Sequence, residues 1–284
     1  MHLTGIEGSS GTNKSVPVYK YKDKCLREEL YDQCWDGKPV PNIVHYIFFG
    51  IYKLSFVQFL SIWSIHTIQK PCVILIHGDT QLSGPYWTYL VRTIPNIIRV
   101  RKTPPKEIFK NPIKVIQHKS DVVRLEAVRD FGGIYMDNDQ IILRSLDPLR
   151  NYNFTLSHEF DDNLSNALIM SCRNAPFVNL WYKEYASFNT SLWSHHSCIL
   201  PYKLLQRYPH LIHVENKTFV NPDFRHRSII FDGNFNWSYN YAVHLYIRFY
   251  NLKHFNFIDI RHLNTTIGSV ARYVLYGHRE LCSD

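Results

Sequence analysis

The chain has 284 residues, 45% of them hydrophobic and 20% charged, which is ample for a buried core in one or two domains. Its formal charge of +8 and pI of about 9.1 point to an anionic partner. The basic clusters, "RVRK" at 99–102 and "RHR" at 225–227, are short and no nucleic-acid-binding motif is present, so the excess reads as a solvated surface plus one anion pocket, with no nucleic-acid partner.

From the start of the chain, "MHLTGIEGSSGTNKS" is rich in Gly, Ser and Thr and reads as partly disordered. Residues 1–40 are taken as an N-terminal extension and 41–284 as one domain, since no repeat and no domain-sized linker appears. "IVHYIFFG" (43–50) predicts a strand ending at a Gly, and "CVILIHGD" (72–79) a strand covered on both faces. Between them "SFVQFLSIWSIHTIQK" has apolar residues at helical intervals and stops before Pro71, completing a strand–helix–strand unit. "IIRVRK" (97–102) is a third strand. "HKSDVVRLEAVRDFGG" (118–133) predicts a helix with Ser120 as N-cap, an apolar face of Val122, Leu125, Ala127 and Val128, and Gly132 as the left-handed residue past its end. "IYM" then enters the sheet. Further on, "FTLSHEF", "NALIMSC" and "YAVHLY" read as strands, and "APFVNLWYKEYASF", "CILPYKLLQRY" and "TIGSVARYVLY" as helices. This alternation indicates an α/β fold with a mixed, mostly parallel sheet flanked by helices, and such sheets bind ligands beyond the carboxyl ends of their strands.

Asp137 and Asp139 fall at such an end. As extended chain, residues two apart point the same way, so both carboxylates could face one Mg²⁺ or Mn²⁺ ion; a turn is the plainer reading of "DND". Asp121 and Arg124, at i and i+3 on the preceding helix, share a face, and would be a surface ion pair unless the helix start meets the same sheet edge.

The whole stretch "HKSDVVRLEAVRDFGGIYMDND" resembles the signature of the DXD-containing glycosyltransferases, family 32 in particular, which includes Golgi α-1,4-galactosyl- and α-1,4-N-acetylglucosaminyltransferases. Bacterial toxin glucosyltransferases show a similar pattern. The likeness runs from "PNIVHYIFFG" through "NAPFVNLWY" and "NYAVHL" to "LNTTIGSVARYVLYG". It implies a GT-A (Rossmann-like) single domain, a UDP-sugar donor, Mn²⁺ (or Mg²⁺), a glycan or glycolipid acceptor, and transfer of a hexose or N-acetylhexosamine with retention. By position, Ile47 and Phe48 would lie against uracil and Ser120, Asp121 and Arg124 would hold the donor sugar. Tyr135 would sit by the nucleotide, and Asn166 would touch sugar or acceptor. Asp137 would reach the ribose or metal-bound water, Asp139 would bind the metal directly, and His244 is the candidate for a C-terminal ligand near the pyrophosphate. Asp121, Arg124, Asp137 and Asp139 form the implied catalytic set. Two departures are visible: Gln140 stands where an apolar residue is usual, and "HLYIRF" replaces an expected "HLW". They keep open a catalytically silent, glycan- or nucleotide-sugar-binding relative.

Seven Asn-X-Ser/Thr sequons occur, at Asn13, Asn153, Asn163, Asn189, Asn216, Asn236 and Asn264, where chance would give about two. They suggest a secretory-lumen address, and the family resemblance implies the Golgi, with an anchor this sequence does not contain; the alternative is cytoplasmic. Six cysteines lack zinc-site spacing. Disulfides then become available, Cys25 with Cys34 being one candidate, and Asn153 and Asn236 are expected to be among the less accessible sequons.

Overall fold

The computed structural model describes residues 16–250 and 255–281; the Gly/Ser/Thr-rich opening, Asn13 and Cys282 lie outside them. The strands that position the site are β1 (Val18–Lys20), β2 (Ile43–Ile47), β3 (Val73–Gly78), β4 (Ile97–Arg101), β5 (Gly133–Met136), β6 (Gln140–Ile142), β7 (Phe154–His158), β8 (Leu164–Ser171), β9 (His213–Asn216) and β10 (Ala242–His244). Eight of them make one sheet in the order β1-β4-β3-β2-β5-β8-β7-β9. Pairing is parallel from β1 through β5 and between β7 and β9, and antiparallel on both sides of β8. The predicted mixed, mostly parallel α/β sheet is therefore present.

The two-residue period of each strand sorts its side chains onto two apolar layers. Val44 and Tyr46 of β2, Ile134 and Met136 of β5, and Leu168 and Met170 of β8 pack with helix α2 (Phe56–Ser64), helix α3 (Pro85–Thr93) and the helix Thr266–Tyr276. Ile47, Tyr135 and Ile169 turn to the other layer, with α4 (Ile116–Phe131), α5 (Pro176–Glu184) and α6 (Leu200–Arg207). At the start of β5, Gly133 has φ +107°, and a Cβ there would meet the Ile43 carbonyl oxygen at 2.3 Å. The second glycine of "GG" thus lets β5 lie against β2, which fixes where the following aspartates emerge.

Several expectations need correction. Helix α4 begins at Ile116, with Val115 at its N-cap, so Ser120 is not the cap. Its hydroxyl instead accepts from Arg124 Nη2 one turn on, at 3.3 Å. The disulfide is Cys34–Cys72, and Cys25 is free. It ties the end of helix α1 (Lys24–Cys34) to the residue before β3, because Leu26 and Leu30 of α1 pack beside Val73 and Leu75. Asn153 and Asn236 are both exposed. Gln140 belongs to the core: its amide Nε2 donates to the Phe219 carbonyl, and its own carbonyl accepts from Ser61 Oγ at 2.6 Å.

On the adjacent strands β2 and β3, two fully buried histidines form a polar pair. His45 Nε2 donates to the Gly132 carbonyl at 2.7 Å, so its Nδ1 accepts from His77 Nε2 at 2.9 Å. Burial lowers the His45 pKa to about 4 and holds His77 well below the usual histidine value, with His45 and Lys102 adding to the effect. Both are neutral in the fold but take protons near pH 6.5 when unfolded. Stability is therefore complete above about pH 6.5 and falls as pH drops towards about 4, by roughly 3 kcal/mol for His45 alone. Urea unfolding is expected to show a lower midpoint at about pH 5 than at about pH 7.5. Equal midpoints would contradict the neutral pair.

Candidate active site

Asp137 leaves β5 while its amide still pairs with the Ala167 carbonyl of β8 at 2.8 Å. The chain then turns: Gln140 N donates to the Asp137 carbonyl at 3.0 Å. "DND" is thus a tight turn rather than extended chain, because β6 has to leave the main sheet and pair with β10. That antiparallel pairing sets Gln140 opposite His244. The turn and the pairing together bring one ligand atom from each of Asp137, Asp139 and His244 within 4.8 Å of one another.

His244 Nε2 lies 3.2 Å from Asp139 Oδ1 and 3.9 Å from Asp137 Oδ2. The Ile247 amide donates to Asp139 Oδ2 at 3.0 Å, and the Leu245 amide to the Asp139 carbonyl at 3.0 Å. Burial disfavours charge on both side chains. For His244 the two carboxylates outweigh it and raise the pKa; for Asp139 the imidazolium and the Ile247 amide outweigh it and lower the pKa. Two carboxylates and an imidazole, their ligand atoms within 4.8 Å of one another, make a donor set that could hold a divalent cation.

Asp121 and Arg124 are not at the surface. Arg124 is 6% exposed, and its fork reaches three elements. Nη1 donates to the Asn166 carbonyl at 2.9 Å and lies 3.1 Å from Asp137 Oδ1; Nη2 lies 3.3 Å from Asp121 Oδ1. Its guanidinium sits 4.5 Å over the Tyr135 ring, while the Tyr135 hydroxyl donates to Asp137. Asn166 Nδ2 donates to Asp121 Oδ1 at 2.9 Å. Burial pushes the Asp121 carboxyl up against the pull of Arg124. Arg124 itself stays firmly charged, since Asp137 and Asp121 overcome its desolvation.

All these groups border a cavity of about 750 Å³, within the size range of small-molecule sites. Ile47, Phe48, Ser120, Asp121, Arg124, Tyr135, Asp137, Asp139, Asn166 and His244 all contribute to its wall, so the residues singled out in the sequence are brought together. Phe48 presents little of itself, being 2% exposed. Sequence reading missed Glu159, Tyr246, Trp193 and Phe249, which also line the cavity. The only local hint was the changed segment "HLYIRF".

Residues 62–155 match the family described as glycosyltransferase sugar-binding region containing DXD motif. Glucan organizing enzyme 1 of Cryptococcus neoformans var. grubii is 31% identical over 192 residues, covering 61% of this chain and 51% of that protein. An uncharacterized protein of Arabidopsis thaliana is 35% identical over 68 residues, 24% of this chain and 11% of that protein. The chain therefore spans about half the length of the first relative and about a tenth of the second. Among solved structures, apo GlyE, a glycosyltransferase of Streptococcus pneumoniae TIGR4, has a TM-score of 0.47 at 10% identity, covering 82% of this chain and 60% of that one. The galactosyltransferase LgtC, in complex with donor and acceptor sugar analogues, has a TM-score of 0.44 at 11% identity, covering 84% and 96%.

Proposed function

We propose, from the premise that this chain carries a glycosyltransferase sugar-binding region with a DXD motif, that it moves a sugar from a UDP-sugar donor to a carbohydrate acceptor. The observation that carries the proposal is the meeting of Asp137, Asp139 and His244 on the same cavity wall as the buried Asp121–Arg124 pair.

In this reading Asp139 and His244 would hold a divalent cation, and Asp137 would complete the set. When bound there, such a cation stabilises the negative charge of a diphosphate leaving group. Arg124 supplies a fixed positive charge to the same end, already paid for in desolvation by its two carboxylates. Asp121, oriented by Asn166, accepts hydrogen bonds from donor-sugar hydroxyls. Tyr135 holds Asp137 in place beside the nucleotide. Ile47 and the edge of Phe48 give the base an apolar wall. As the bond from sugar C1 to the diphosphate breaks and one to an acceptor oxygen forms, the sugar carries oxocarbenium character and the diphosphate takes up charge. Retention of configuration is carried by the family resemblance alone.

A lumenal location is part of the proposal. The Cys34–Cys72 disulfide suits an oxidising compartment, and Asn153, Asn189, Asn216, Asn236 and Asn264 are exposed sequon asparagines.

Calorimetry with UDP and with UDP-hexoses, with and without Mn²⁺, tests the function. Metal-dependent UDP binding together with UDP release from one donor is expected. Binding without release from any donor would favour the silent relative, and no metal-dependent binding at all would sink the assignment.

A further inference from the structure

We propose that Glu159 and Tyr246, with the aromatic shelf beside them, form the acceptor subsite, and that the acceptor presents a neutral saccharide there. The proposal rests on the glycosyltransferase reading and adds to it the residues and the chemistry of the second substrate.

Glu159 follows β7 and is 7% exposed, yet it lines the same cavity as the metal triad. Among the described residues it has no lysine or arginine partner within 4.0 Å. A buried carboxylate without a cation is costly, and packing alone gives no reason for one on a cavity wall. Its Oε1 accepts from the Tyr246 hydroxyl at 2.8 Å. The Tyr246 ring in turn lies 4.0 Å from the His244 ring. A single tyrosine therefore separates the carboxylate from the candidate metal ligands. Tyr246 holds this position with φ +52°, a left-handed conformation that side chains other than Gly adopt at a cost. Strain at a residue bridging the triad and a carboxylate held by a tyrosine hydroxyl and a backbone amide, with no lysine or arginine against it, points to a substrate-facing role. The same residue stands where the family pattern leads one to expect Trp, so its hydroxyl distinguishes this chain from that pattern.

The neighbouring surface has the composition of a sugar-binding shelf. The Phe224 ring lies 5.6 Å from Tyr246, 5.3 Å from Phe249 and 6.3 Å from Phe160. On the cavity wall Phe249 is 43% and Trp193 46% exposed; the Arg248 guanidinium lies 4.5 Å from the Trp193 ring and 4.6 Å from Phe249, and Arg227 lies 4.8 Å from Phe249, so each ring keeps only part of its surface for a ligand. A carboxylate accepts hydrogen bonds from sugar hydroxyls while aromatic faces cover the ring's C–H groups. Burial also pushes the Glu159 pKa up, against the pull of His244 and Tyr246. Hydroxyl donors relieve that desolvation, whereas an acceptor presenting phosphate or carboxylate at this point would meet repulsion.

The test uses the full chain with Mn²⁺ and a UDP-sugar that it hydrolyses, and methyl glycosides of glucose, galactose and mannose as acceptor probes. At least one glycoside is expected to raise UDP release above hydrolysis. Glu159→Gln, nearly isosteric, is expected to raise the KM for that glycoside about tenfold more than it changes the donor KM. Phe249→Ala, at an exposed position, is expected to act in the same direction by about threefold and guards against misfolding of the first variant. Equal effects on donor and glycoside KM, an unchanged glycoside KM, or hydrolysis that no glycoside stimulates would each overturn the subsite. A wild-type chain with no UDP release from any donor would instead remove the glycosyltransferase reading beneath it.

Discussion

Replacing Asp139 with Asn is expected to lower metal-dependent turnover about a thousandfold or more while leaving the fold intact. The side chain is buried, with one oxygen 3.2 Å from His244 and the other accepting from the Ile247 amide at 3.0 Å. Asparagine keeps the shape and can still accept that amide. It loses the charge that binds a hard cation and that balances His244. Turnover with saturating donor, Mn²⁺ calorimetry and near-ultraviolet circular dichroism separate the outcomes. Loss of metal binding with an unchanged dichroism spectrum is expected, and undiminished turnover would sink the ligand assignment. Chelation of the wild-type protein should reproduce the loss of turnover, and added Mn²⁺ should restore it only there.

The Arg124→Met variant is expected to be destabilised by about 3–5 kcal/mol, because it strands two carboxylates that share one buried guanidinium. Those carboxylates are Asp121 at 3.3 Å and Asp137 at 3.1 Å, with side chains 11% and 22% exposed. The neutral residue fills most of the volume, so the cost is electrostatic rather than a cavity. Arg124→Lys restores a charge but not the fork that also reaches the Asn166 carbonyl and Ser120. Lysine should therefore recover part of the stability and little of the donor turnover. Urea unfolding beside donor kinetics reads both effects. A methionine variant as stable as wild type would show that the pair is not compensating buried charge.

Much of the frame was legible in the chain. The continuous apolar run of 73–76 and the period-two sorting of 134–136 and 168–170 place strands because side-chain alternation is local physics. Arg124 falls one turn after Asp121 by helix geometry, and Gly132 ends that helix as its sequence position suggests; that Gly133 lets β5 lie close against β2 was visible only in the fold. The family signature added the roles that spacing alone leaves open. Local pattern was misleading where the partner lay elsewhere: Ser120 has cap chemistry but sits within a helix that starts earlier, and Cys34 bonds to Cys72, 38 positions on, rather than to its near neighbour. Gln140 looked like a departure beside the two aspartates until β6 carried it into the core.

Which lone polar residues join the site was decided by tertiary structure. Ile247 and Asp139 are 108 positions apart, and Tyr246 and Glu159 are 87 apart. One long-range strand pairing, β6 with β10, brings His244 to the aspartates and Tyr246 to the glutamate. Neither histidine nor glutamate carries a periodic signal, so nothing within reach of a local window distinguishes His244 or Glu159 from the other histidines and acids of the chain. Their chemistry arises from burial and from neighbours that only the folded sheet supplies.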